Sequence, residues 1–137
     1  MKWRASVLGA VSAGGVVGAE ARYVLSLFEP SGAGFPWATL AQNVSGCLLI
    51  GVLMTVVRQS TAPLWLIRPF LGVGLLGGYT TFSTYAVDVH QMLIDGRHVV
   101  AVTYLVATPV VAVLAVWSAT AATRAVLRRR RPRGGMT

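Results

Sequence analysis

Four long apolar runs, separated by short connections that are polar or rich in proline and glycine, divide the chain. The connections are "EPSGAGFP" (29–36), "RQSTAP" (58–63) and "DGRH" (95–98). A helix needs about 20 apolar residues to cross a hydrocarbon core of about 30 Å, so the runs predict four transmembrane helices. Their approximate bounds are 5–28, 37–57, 64–94 and 99–123. The pattern therefore predicts an all-α membrane domain over residues 1–123, followed by a tail at 124–137.

The third apolar run is longer than one membrane span requires. A continuous helix over 64–94 would reach about 46 Å, well beyond the hydrocarbon core. The run contains "GGYTTFSTYAVD" (77–88), in which the poor helix formers Gly77 and Gly78 precede several hydroxyl groups. We therefore expect the third helix to be broken near Gly77–Thr80. Irregular backbone at membrane depth is tolerated only where it is buried in protein or lines a cavity.

The composition supports a membrane location and limits the classes of partner. Hydrophobic residues make up 55% of the 137 residues and charged residues 12%, where a soluble domain has about 25% charged residues. The net charge of +8 is concentrated in the tail, at Arg128–Arg131 and Arg133. Such a cluster beside an apolar helix is typical of contact with anionic lipid. It lacks the interleaved aromatic residues of a nucleic-acid surface, so the expected partner is the lipid bilayer and not nucleic acid.

The basic residues also predict an orientation. All but two of the twelve lysines and arginines fall on the side of the predicted helices that both termini share, and Arg22 and Arg97 fall on the other side. By the positive-inside rule, this bias places both termini in the cytoplasm. The predicted location is the cell membrane, crossed several times, with the basic tail on the cytoplasmic side.

Polar groups in the second and fourth runs each allow two interpretations. Thr39 and Asn43 share one helical face, so the Asn43 amide either joins neighbouring helices or donates into a pore. Tyr104 and Thr108 are four residues apart and precede Pro109. A threonine bonded back to its own helix beside a proline kink is the simpler account of that pair, and a pore-lining hydroxyl is the other.

The first run carries a packing pattern and two charges. In "GGVVGAEARY" (14–23), Gly14 and Gly18 form a GxxxG pattern, which indicates close contact between helices. Glu20 and Arg22 lie near the far end of the same run, where they are either structural anchors or functional charges.

Hydroxyl groups surround two aromatic rings at the predicted break. The hydroxyls belong to Thr80, Thr81, Ser83 and Thr84. Phe82 and Tyr85 are three residues apart, so their rings share a helical face. Ring edges are partially positive; together with hydroxyl and amide donors they would coordinate a small anion without a fixed cation that traps it. Backbone carbonyls released near the break would suit a small hard cation.

Other kinds of site find little support in the sequence. "GLLGGYT" lacks the lysine and the spacing of a phosphate-binding loop. His90 and His98 have no cysteine or carboxylate at a metal-binding spacing. No intramembrane histidine is poised to activate a nucleophile, and the single cysteine, Cys47, excludes an intrachain disulfide. An enzyme is not expected.

Three motifs in the same order resemble those of a known family. "GGVVGAEARY" resembles the pattern GGxxGAxxRY, "TLAQNVSGCLLIG" (39–51) resembles TLxxNxxGxxxxG, and "GGYTTFSTYAVD" resembles GGxTTFSTFxxE. These are motifs of the Fluc (CrcB-type) fluoride channel family. The similarity extends from about Gly14 to Trp117, with the length and number of spans of that family.

The resemblance implies an antiparallel, dual-topology dimer of four-helix subunits with two fluoride pathways along the interface. It implies that Asn43 donates a hydrogen bond to fluoride and that Phe82 and Tyr85 present ring edges. The polar track that it implies consists of Thr39, Ser83, Thr84, Tyr104 and Thr108. It further implies a structural sodium ion, shared by both subunits, at the carbonyls of Gly77 and Thr80. A vestibule is implied at Arg22 and Asp88.

The chain departs from the family pattern at three of these positions. Tyr85 stands where the pattern has phenylalanine, so the ring edge is kept and the added hydroxyl is expected to alter or narrow one site. Asp88 replaces glutamate and is one methylene shorter. Thr108 replaces serine and keeps the hydroxyl.

The charge bias raises a question about the partner subunit. A chain that inserts in both orientations needs nearly balanced loops, and this chain is strongly biased. One hypothesis is pairing with an oppositely oriented homologous subunit. The other is a homodimer in which lipids, the late-emerging tail or insertion kinetics offset the bias.

Two further functions compete with a channel. A small proton-coupled exporter of cationic compounds, also made of four spans, needs a carboxylate inside its first helix, and Glu20 is the candidate. Glu20 lies near the helix end beside Arg22, however, and this function leaves the broken third helix unexplained. The other competitor is a non-transporting subunit that only scaffolds a partner.

Overall fold

A computed structural model describes residues 2–29, 34–59 and 65–130. Within these ranges the chain is helical and has no strand. Its elements are α1 (Lys2–Ser26), α2 (Trp37–Gln59), a π-helical segment (Pro69–Leu75) that continues into α3 (Leu76–Tyr79), α4 (Phe82–Ile94) and α5 (His98–Arg130). The predicted all-α class is confirmed, and the elements fall in the four predicted helical regions.

Glycines on both partners let α1 pack against the π-helical segment and α3. A Cβ atom added at Gly14 or Gly18 would collide with backbone atoms of that region, and one at Gly74 would lie 2.6 Å from the carbonyl oxygen of Val11. Val11 faces Gly74 and Gly18 faces the backbone of Tyr79, so the two helical regions run in the same direction. The close packing predicted from the GxxxG pattern is confirmed.

A second helix pair is formed by α2 and α5. A Cβ atom at Gly51 would lie 2.7 Å from the carbonyl oxygen of Val116 on α5. The buried face of α2 consists of small or polar residues, namely Thr39, Gln42, Gly46, Gly51 and Thr55. Aromatic and aliphatic residues of α4 and α5 form the main buried cluster, which contains Tyr85, Val89, Met92, Ala101 and Tyr104. The polar side chains on this face of α2, Thr39, Gln42 and Thr55, are therefore enclosed by protein.

Side chains and a glycine turn satisfy the backbone groups at the helix ends. The carboxylate of Glu29 accepts hydrogen bonds from the first two N–H groups of α2, at 3.0 and 2.6 Å, and so caps that helix. After α4, Gly96 adopts a φ of 73° and the N–H of Arg97 donates to the carbonyl of Met92 at 2.8 Å, which is a Schellman motif. The Arg97 guanidinium donates to the carbonyl of Gly34 and ties the two connections together.

Among the described helices, α2 and α5 are each long and apolar enough to cross a membrane. In α1 the apolar run is diluted by Arg4, Glu20 and Arg22. The third region is divided into shorter elements, so no single helix there reaches the length of a span. Membrane crossing by these two regions stays a prediction.

The last helix is longer than the sequence pattern predicts. We expected it to end near residue 123, whereas α5 continues to Arg130. Its 33 residues extend about 50 Å at 1.5 Å per residue. Residues 124–130 contain no proline or glycine, so nothing local ends the helix there. The predicted basic tail thus begins as helix, and residues 131–137 lie outside the described residues.

Candidate functional site

Between α3 and α4 the backbone becomes extended at Thr80 (φ −83°, ψ 154°) and Thr81 (φ −145°, ψ 126°). Asn43 on α2 binds this stretch reciprocally. Its Nδ2 donates to the carbonyl of Thr81, and its Oδ1 accepts from the N–H of Thr81, each at 2.9 Å. The Thr81 N–H therefore does not reach the carbonyl of Gly77, its partner in an uninterrupted helix. Within the part of the chain that the structure describes, one N–H of the Asn43 amide donates a hydrogen bond and the second has no acceptor.

Because glycine has a low helix propensity, we expected the break at Gly77 and Gly78, but neither residue is extended. Gly77 and Gly78 are both helical and belong to α3. A Cβ atom at Gly78 would collide with the carbonyl oxygen of Gly15, whereas one at Gly77 would meet no atom within 4 Å. The absence of a side chain at Gly78 thus serves close helix packing.

Hydroxyl groups organise the start of α4. Thr81 is the N-cap, and its Oγ1 accepts from the N–H of Thr84 at 3.1 Å. The same hydroxyl donates to Oγ1 of Thr84 at 3.0 Å and lies 3.2 Å from Oγ of Ser83. Ser83 and Thr84 are exposed in the single chain, and these contacts bring both predicted track residues to the beginning of α4.

The two aromatic rings differ in exposure. Phe82 is 79% exposed and Tyr85 is 7% exposed, with ring centroids 5.7 Å apart. We expected the Tyr85 hydroxyl to alter or narrow the site. In the structure this hydroxyl donates to the carbonyl of Leu105 on α5 at 2.6 Å, so it is turned to the neighbouring helix and paired there.

An inner groove of about 370 Å³ brings several predicted residues together. Its lining includes Asn43, Gly77, Thr80, Phe82, Tyr85 and Thr108, and none of its lining residues is charged. Thr108 is 5% exposed, and its Oγ1 has no hydrogen-bond partner within the described chain. Of the two interpretations of Thr108, the one in which its hydroxyl bonds back to its own helix is therefore wrong. Thr103 and Thr123 on the same helix do bond back, to carbonyls four residues earlier.

An outer cavity of about 690 Å³ brings together the two residues that were predicted to form a vestibule. Arg22, Asp88, Thr39 and Thr84 line it. Tyr104 is fully buried, with its hydroxyl 3.5 Å from the Asp88 carboxylate, to which it donates. Thr39 lies close to the same carboxylate. Most of the predicted site residues thus line one of two cavities, and Ser83 and Tyr104 line neither. Tyr104 lies behind the outer cavity, where its hydroxyl donates to Asp88 and its ring packs against that of Phe35 at a centroid distance of 5.2 Å.

Two polar residues of α2 with structural contacts were missed by the sequence interpretation. Gln42 is 2% exposed, and its Nε2 donates to the carbonyl of Arg22 at 3.1 Å, so it positions the end of α1 at the outer cavity. The hydroxyls of Ser45 and Tyr79 lie 2.8 Å apart. Gln42 lies three residues after Thr39 on the same helical face, and that spacing was the available signal.

Comparison with known proteins relates the whole described site to one family. A family model described as "CrcB-like protein, Camphor Resistance (CrcB)" matches residues 9–120. The chain is 50% identical over 129 residues to "Fluoride-specific ion channel FluC 1" of Streptomyces coelicolor, which covers 92% of this chain and 84% of that protein. It is 45% identical over 120 residues to "Fluoride-specific ion channel FluC 2" of Nocardia farcinica, covering 87% and 86%. A third relative, "Fluoride-specific ion channel FluC 2" of Thermobifida fusca, is 43% identical over 130 residues, covering 94% and 95%.

Proposed function

The chain belongs to the CrcB family, and from that membership we propose that it is a subunit of a fluoride-selective ion channel rather than an enzyme. The channel lets cytoplasmic fluoride leave the cell passively across the plasma membrane. The observation that carries the proposal is the inner groove, where the buried Thr108 hydroxyl has no partner in the described chain and no charged side chain contributes to the lining.

The groove provides hydrogen-bond donors that replace the water molecules around fluoride. A small halide loses a large hydration energy on entering a narrow site, so several donors must replace its water molecules. The candidates are the second N–H of Asn43, the hydroxyl of Thr108 and the ring edges of Phe82 and Tyr85. Because these groups are neutral, they bind the ion less tightly than a fixed cationic side chain would, and the ion can leave again. A path narrow enough to coordinate bare fluoride would exclude a larger anion by size.

The driving force needs no chemical energy source. An inside-negative membrane potential expels an anion, with about 2.3 kcal/mol per elementary charge for each 100 mV. At the outer cavity, Arg22 attracts the anion, and Asp88, held by Tyr104, limits how strongly it is retained. The proposed role of the chain is therefore to provide a selective path.

We propose that two antiparallel subunits close the path between them. The support is that the inner groove is open in the single chain, with the polar residues Asn43 and Thr108 in its lining and the Phe82 ring 79% exposed beside it. Lipid cannot satisfy such polar groups. A second subunit would cover this ring and give each groove its missing wall. In this arrangement both α1 and the third helical region cross the membrane, with the interruption at Thr80 and Thr81 enclosed by protein.

The backbone near the interruption is a candidate site for a sodium ion. The carbonyl of Gly77 is released from its helical partner because the Thr81 N–H donates to Asn43. Oxygen dipoles of this kind suit a small hard cation. We propose that the carbonyls of Gly77 and Thr80 from both subunits hold it, and that the ion neutralises their partial charges and joins the subunits.

Purified protein in liposomes loaded with potassium fluoride tests the function. With valinomycin present, we expect fluoride efflux at least about a hundredfold faster than chloride efflux, which corresponds to roughly 2.7 kcal/mol of discrimination. Glu20→Gln removes the carboxylate that a proton-coupled exporter would need, and we expect it to leave fluoride efflux unchanged. Efflux no faster than from protein-free vesicles would reject the channel, and loss of transport in Glu20→Gln would favour the exporter.

The orientation bias leads to a separate prediction about the partner. When the chain is expressed alone, we expect a C-terminal tag to be protected from an impermeant reagent in most molecules, because most of the basic residues favour one side. Co-expression with an oppositely oriented homologue is then expected to raise fluoride efflux. Equal populations of the two orientations in the chain expressed alone would exclude the need for such a partner and support the homodimer.

A further inference from the structure

The hydroxyl of Tyr85 and the ring of Pro109 act on the same backbone carbonyl. Pro109 lies inside α5 and has no N–H, so the carbonyl of Leu105, four residues earlier, lacks its usual helical donor. The Tyr85 hydroxyl donates to that carbonyl at 2.6 Å from the neighbouring α4. A side-chain hydrogen bond therefore occurs where the helix has lost its own.

We propose that the Tyr85 hydroxyl replaces the donor that Pro109 removes, and that this pairing keeps the Leu105 carbonyl from acting as a free acceptor beside the anion path. Through its hydroxyl, Tyr85 is thus a positioning residue for the fluoride pathway, in addition to the ring edge that it presents to the ion, and the proposal rests on the proposed channel function. Tyr85 and Pro109 both line the inner groove. Tyr85 is 7% exposed, so the bond lies at a site where water is largely excluded.

An unpaired carbonyl at this position would act against anion passage in two ways. A buried acceptor without a donor destabilises the fold. Its oxygen is also the negative end of a dipole, and in a low dielectric that dipole repels an anion more strongly than it would in water. The Tyr85 hydroxyl, at a position where the family pattern has phenylalanine, therefore stabilises α5 around Pro109 and pairs a carbonyl that would otherwise repel the anion.

The hydrogen bond itself is tested by a double-mutant cycle on unfolding. In mixed micelles titrated with sodium dodecyl sulfate, we expect Tyr85→Phe to shift the unfolding equilibrium about tenfold toward the unfolded form. In the Pro109→Ala background the new N–H supplies Leu105, so the same substitution should shift it less than about twofold. Tyr23→Phe removes a hydroxyl from an exposed tyrosine and should leave the equilibrium unchanged. Equal shifts in both backgrounds would overturn the proposed replacement.

The positioning role is tested by the same cycle on fluoride efflux at matched protein incorporation. We expect Tyr85→Phe to slow efflux about fivefold because the carbonyl becomes free, and to have no further effect when added to Pro109→Ala. If Tyr85→Phe conducts as the wild type does while the unfolding shifts are as expected, the hydroxyl is structural only and the positioning role is overturned. If the wild type carries no fluoride, the channel proposal fails, and the unfolding cycle still decides the hydrogen bond.

Discussion

Asn43→Asp is expected to reduce fluoride efflux from proteoliposomes to the level of protein-free vesicles. The substitution places a negative charge beside the proposed path, and two like charges 4 Å apart repel by about 4 kcal/mol at an effective dielectric constant near 20. This energy corresponds to roughly a thousandfold lower occupancy by the anion. The carboxylate also loses the N–H that donates to Thr81, so that an oxygen would face the Thr81 carbonyl where a donor now lies 2.9 Å away. A fluoride electrode gives the efflux rate directly.

A matched control makes the same chemical change on the same helix. Gln59, the last residue of α2, is exposed, and Gln59→Glu is expected to keep efflux within about twofold of the wild type because an exposed charge is screened by salt. Wild-type efflux in Asn43→Asp would remove Asn43 from the path. A similar loss in both variants would assign the effect to added charge on α2 in general, and would also contradict the prediction.

The helical regions and the packing of α1 follow from sequence patterns, whereas the position of the extended backbone does not. Low helix propensity pointed to Gly77 and Gly78, yet both are helical. The residues that leave the helix are Thr80 and Thr81, because the Asn43 side chain takes over the backbone bonds of Thr81. That partner comes from another helix, 38 positions away. A local pattern carries no information about such a contact.

Tyr85 illustrates what a motif predicts and what it leaves open. Its spacing from Phe82 predicts that the two rings lie together, and their centroids are 5.7 Å apart. The direction of the hydroxyl depends instead on a carbonyl that Pro109 releases on α5. Sequence reasoning located the tyrosine and the proline separately. Only the packing of α4 against α5 joins them.

Gly18→Ala is expected to lower the free energy of unfolding by about 2 kcal/mol and to abolish fluoride efflux. The new methyl group would collide with the carbonyl oxygen of Leu75 and lie 2.8 Å from the backbone nitrogen of Tyr79. Backbone atoms cannot rotate away as a side chain can, so α1 and α3 must separate. Tyr79 directly precedes the extended Thr80, and the separation would therefore displace the carbonyls and hydroxyls of the proposed site.

The neighbouring Gly15 gives the control for that prediction. A Cβ atom there meets nothing within 4 Å, so Gly15→Ala keeps the packing and gains helix propensity, by up to about 1 kcal/mol. We expect the two alanines, three residues apart on one helix, to change stability in opposite directions when unfolding is measured in mixed micelles. Equal effects would mean that α1 responds to helix propensity alone. In that case the glycine contact would not be what positions the interruption beside Asn43.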